Sequence, residues 1–70
     1  MTAALDFGNT IIKIGLFKDN SLVEIIRTSK NEEVISILKS YQISQAIISS
    51  VSTPFDEIKT LLISQKIYFF

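Results

Sequence analysis

The chain has seventy residues, 47% of them apolar, and its seven basic and seven acidic side chains cancel to zero formal charge. Cysteine and histidine are both absent, which excludes disulfides, Cys/His zinc sites and cysteine or histidine nucleophiles. The scattered basic residues argue against a nucleic-acid surface, no apolar run approaches the ~20 residues of a membrane span, and the composition fits one small cytoplasmic domain.

The first 28 residues read as strands. Thr2 to Phe7 is short and apolar and stops at Gly8-Asn9, a dipeptide suited to a hairpin turn. Ile11 to Phe17 follows, with Ile12, Ile14 and Leu16 on one face and Lys13, Gly15 and Phe17 on the other. Asp19-Asn20 marks a second turn, and Leu22 to Thr28 is a third strand rich in Val and Ile. Three strands joined by tight turns predict an antiparallel meander.

The apolar period then changes. Asn31 is placed to cap a helix, Glu32 and Glu33 suit its positive N-terminal end, and Lys39 suits its C-terminal end. Val34, Ile37, Leu38 and Tyr41 share one apolar face. Gln45 to Val51 returns to strand, and Thr53-Pro54 opens a second helix whose apolar face is Phe55, Ile58, Leu61 and Leu62. Lys66 to Phe70 is a last strand. The order β-β-β-α-β-α-β predicts an α/β fold with a mixed sheet and helices packed on it.

The segment Asp6-Phe7-Gly8-Asn9-Thr10 raises the question of chemistry. Glycine lets a backbone approach a ligand closely, and asparagine tolerates left-handed turn geometry. Backbone N–H groups in such a turn can converge on an anion, with a threonine hydroxyl and a lysine adding donors. An aspartate closing the first strand could hold Mg²⁺ together with phosphate oxygens. Asp6 also sits where the apolar run would favour an apolar residue, a cost unless it has a partner. Two readings stand open at this point: a plain hairpin, and a hairpin built to hold phosphate.

The run Asp6 to Gly15 resembles the D-x-G-N-T-x-x-K-x-G opening of type III pantothenate kinases. Ala46-Ile47-Ile48-Ser49-Ser50-Val51 is similar to the ISSV strand of the same family. The resemblance implies a ribonuclease-H-like, actin-like ATPase half-domain over residues 1–70, and ATP-dependent phosphorylation of pantothenate, the first step of coenzyme A biosynthesis. It implies that Asp6, Phe7, Gly8, Asn9, Thr10, Ile11, Ile12 and Lys13 line the ATP phosphates. Asp6 would hold the Mg²⁺, and Lys13 would neutralise phosphate charge. Ser49 and Ser50 either pack under a loop or line the floor of the nucleotide cleft.

The same resemblance implies a monovalent cation (K⁺ or NH₄⁺), a homodimer, and a general-base aspartate in a G-x-D-R motif beyond residue 70. The apolar last strand suggests a sequence cut from a longer one, inactive alone and prone to associate through exposed apolar surface. Two alternatives are a non-catalytic regulatory or filament-forming relative, and a small α/β interaction module whose hairpin is only a turn.

Overall fold

The structure, a computed structural model, describes residues 1–51 and 56–70, and for residues 49–51 the backbone alone. Its elements are β1 (Thr2–Phe7), β2 (Ile12–Lys18), β3 (Ser21–Thr28), α1 (Asn31–Ser40), β4 (Gln45–Val51), α2 (Asp56–Ser64) and β5 (Tyr68–Phe69). The expected order is therefore present. The capping pair Thr53-Pro54, and Phe55 of the second helix's apolar face, lie outside the described residues.

Five strands form one mixed sheet in the order β3-β2-β1-β4-β5. β2 runs antiparallel to both β1 and β3, whereas β1 pairs with β4, and β4 with β5, in parallel. Alternation along the strands assigns the faces. Ala3, Leu5 and Phe7 of β1 and Ile12, Ile14 and Leu16 of β2 are buried, joined by Ala46 of β4. Val34, Ile35 and Leu38 of α1 and Ile58 and Leu62 of α2 complete one core on that face. Burying each of the Val, Leu, Ile and Phe side chains in this set contributes about 1.5–3 kcal/mol.

Several local expectations change. Asn31 is the first helical residue rather than the cap: Lys30 holds the cap position and makes no side-chain cap bond. Thr28 substitutes from the preceding strand, where its Oγ1 accepts from the Lys30 N–H at 3.3 Å and donates to Glu33 at 2.9 Å. Tyr41 lies past the helix as its C-cap, and its hydroxyl donates to Glu24 of β3 at 2.8 Å. That bond first, then desolvation and the carboxylate's charge, raises the Tyr41 phenol above its ordinary value. The last strand is shorter than expected: regular pairing covers Tyr68–Phe69, although the Phe70 N–H still donates to the Ala46 carbonyl at 3.1 Å.

Both helices stop in the same way. Gln42 after α1 and Lys66 after α2 adopt left-handed backbone, at φ 56° and 59°. The following Ile43 and Ile67 N–H groups then bond back to Leu38 and Leu62, at 2.8 and 2.9 Å. These are Schellman ends, in which the next residue drops into the core; Ile43 and Ile67 are indeed buried.

The opposite face of the sheet carries no helix among the described residues. Leu22, Ile25, Ile47, Tyr68 and Phe70 remain between 47% and 74% exposed there. It is also the face on which the chemistry-bearing residues lie.

Candidate phosphate site at the first hairpin

Asp6 closes β1 and lies directly across from Lys13 in β2. Its neighbours Leu5 and Phe7 point into the core, so Asp6 points to the open face, where it is half-buried. The apolar pattern is therefore not broken at Asp6. That position belongs to the other face, and the desolvation cost expected for an aspartate in the core does not arise.

Between these two residues the chain turns through Gly8, Asn9, Thr10 and Ile11, closed by the Gly8 N–H donating to the Ile11 carbonyl at 3.1 Å. No residue of this turn has positive φ. The left-handed geometry expected of Gly8-Asn9 is absent, and the reason for glycine is different. A Cβ on Gly8 would stand 2.9 Å from the Ile11 carbonyl oxygen, closer than real Cβ atoms come. Asn9, Thr10 and Ile11 are exposed. Among the described residues, Asn9 and Thr10 make no hydrogen bond, so no described group takes up their donors.

Phe7 and Ile12 bracket the turn but are only 2% and 7% exposed, with side chains in the core. Both are paired in the sheet ladders, and their side chains fix the turn to the core. Gly15 has room: a Cβ there would meet Phe17 at 3.4 Å and Leu22 at 3.5 Å, ordinary contacts.

The row continues past the first hairpin. Lys13 pairs across β2–β3 with Arg27, and Asp6 pairs across β1–β4 with Ser50. Arg27, Lys13, Asp6 and Ser50 thus lie side by side across four strands, at the carboxyl end of β1 and β4. Ligands bind at that end of the strands in open α/β sheets. The side chains of Ser49 and Ser50 lie outside the described set. Arg27 is a residue that sequence reasoning missed, and the cause is a bulge. Counting back from Asp19-Asn20 pairs Lys13 with Ile26, but the register shifts between Leu16 and Phe17, where Val23 is the extra residue. That shift carries Arg27 opposite Lys13.

Among the described residues no three acidic groups gather as a metal cluster. A single carboxylate can suit Mg²⁺ where phosphate oxygens and water fill the rest of its shell, and the half-buried Asp6 carboxylate on the open face is chemically compatible with that. No helix is long and apolar enough to cross a membrane, among the described residues.

No protein-family model matches the chain, and no solved structure does. The type III pantothenate kinase of Azobacteroides pseudotrichonymphae genomovar. CFP2 is 36% identical to it over 72 aligned positions, covering the whole of this chain and 29% of that kinase. The chain therefore spans less than a third of the length of the curated relative it matches. From end to end, the chain is similar to the type III pantothenate kinases, the family its opening motif resembles.

Proposed function

We propose that this chain contributes the first phosphate-binding element of an enzyme that transfers the γ-phosphoryl group of ATP to pantothenate, yielding 4′-phosphopantothenate. One observation carries the reading: Asp6 and Lys13 face each other at the carboxyl end of β1, joined by a turn whose Asn9 and Thr10 bond to none of the described residues. Similarity to a pantothenate kinase along the whole chain supports it. The strand order β3-β2-β1-β4-β5, with β2 alone reversed, supports a ribonuclease-H-like half-domain of the actin-like ATPase kind.

In this reading Lys13 supplies a point charge to the phosphates. Asn9 and Thr10 donate from the turn, and Gly8 holds the turn's shape. Asp6 would hold Mg²⁺, which when bound neutralises phosphate charge as phosphoryl transfer proceeds. None of these residues is a base for the pantothenate hydroxyl. That role, the monovalent-cation site and the dimer contacts fall to the rest of the longer protein, in the cytoplasm.

The test is calorimetric titration with ATP, with Mg²⁺ and with EDTA, of the protein carrying these residues. Tight binding should require Mg²⁺, and Asp6→Asn should remove that requirement while weakening Mg-ATP at least roughly tenfold. Lys13→Gln should weaken Mg-ATP by a similar factor without changing the Mg²⁺ requirement. Affinity unmoved by both substitutions would leave the hairpin as a turn and favour an interaction module.

A further inference from the structure

We infer that Arg27 is a second cation of this anion site and contacts phosphate oxygens alongside Lys13; the inference rests on the phosphate-binding reading above. Arg27 and Lys13 are direct cross-strand partners. Both are exposed and on the open face, because their neighbours Ile12, Ile14 and Thr28 are buried on the other. Like charges directly opposite each other destabilise a strand pair, with Cβ atoms only about 4.5–5.5 Å apart.

Among the described residues nothing relieves that repulsion fully. Asp6, on the far side of Lys13, supplies a single negative charge to a row holding two positive ones. Among the described residues none of the three makes an ion pair. An anion lying along the row would offset the excess charge. The planar arginine fork is suited to taking two phosphate oxygens at once, where lysine supplies a point contact. The bulge at Val23 has a consequence here: without it the partner of Lys13 would be Ile26, a partly buried residue packed against the core, and the second cation would be out of line.

A plainer role for Arg27 exists, since β3 is an edge strand and charged side chains there discourage edge pairing. The two roles give opposite results in one experiment. Wild type, Arg27→Gln and Arg27→Lys are titrated with Mg-ATP and with Mg-tripolyphosphate, and their association state is measured. A phosphate contact predicts about tenfold weaker binding of both ligands to Arg27→Gln. The loss should be equal for the two, because tripolyphosphate has no nucleoside, and Arg27→Lys should restore part of it.

Unchanged affinity with increased self-association of Arg27→Gln overturns the inference and leaves the edge role. A loss confined to Mg-ATP also overturns it, since the contact would then be to the nucleoside. If wild type binds neither ligand, the phosphate-binding reading itself falls. If wild type binds both and Arg27→Gln matches it, only the role of Arg27 falls.

Discussion

The two turns of the opening meander use their residues differently. The β2–β3 turn is Asp19-Asn20, closed by the pairs Lys18 with Ser21 and Phe17 with Leu22. Both residues are left-handed, at φ 53° and 66°, the geometry of a type I′ hairpin whose twist matches the strands. Asp19 and Asn20 are thus accounted for by the turn alone. The β1–β2 turn is wider, has no left-handed residue, and leaves Asn9 and Thr10 without hydrogen bonds among the described residues. No contact among the described residues explains its polar residues. A turn whose composition exceeds what its geometry requires is the better place to look for a ligand.

The sharpest way to break this contrast is Gly8→Ala. The added methyl would meet the Ile11 carbonyl at 2.9 Å, and backbone cannot swing aside as a flexible side chain would. Overpacking of this kind costs about 1–3 kcal/mol, and the turn must open to relieve it. Denaturant unfolding should show that loss, and the folded fraction should bind Mg-ATP more weakly because the donors move. Full stability with full binding would mean that the tight approach at Gly8 is not needed.

How far the sequence disclosed the molecule depends on the kind of signal. Strand faces were legible because alternation is strict within Ala3–Phe7 and again within Ile12–Leu16, and the second turn because Asp-Asn tolerates left-handed backbone. The helix ends were not, since Gln42 and Lys66 occupy positions where glycine is the usual marker. Ile35, buried beside Val34, was missed because i, i+3, i+4 spacing does not select it. At the candidate site, the motif singled out Asp6 and Lys13, which the register sets opposite each other, whereas the reason for Gly8 was not legible. A contact with a backbone oxygen three residues on leaves no trace in residue type. Arg27 was hidden by a bulge that no turn or glycine announces.

Asn20→Val tests the other half of the contrast. A β-branched residue at φ 66° is strained, and left-handed backbone costs an ordinary L-residue about 1–2 kcal/mol. Stability measured by urea unfolding should fall by that amount. Affinity for Mg-ATP in the folded protein should stay at the wild-type value, because this turn lies at the opposite end of β2 from Lys13. Weakened binding at unchanged stability would show that the second turn is not merely structural.

Thr10→Ala carries the smallest change and separates the readings most cleanly. Thr10 is exposed and makes no hydrogen bond among the described residues, so removing its hydroxyl should alter stability by less than about 0.5 kcal/mol. If the hydroxyl donates to a phosphate oxygen, binding of Mg-ATP should weaken by about 1 kcal/mol, roughly fivefold. A plain turn predicts no change in either quantity, and a fold-supporting threonine predicts loss of stability first. Only a ligand contact lowers affinity while leaving the unfolding midpoint in place, so the pair of measurements assigns the residue without reference to the motif that first drew attention to it.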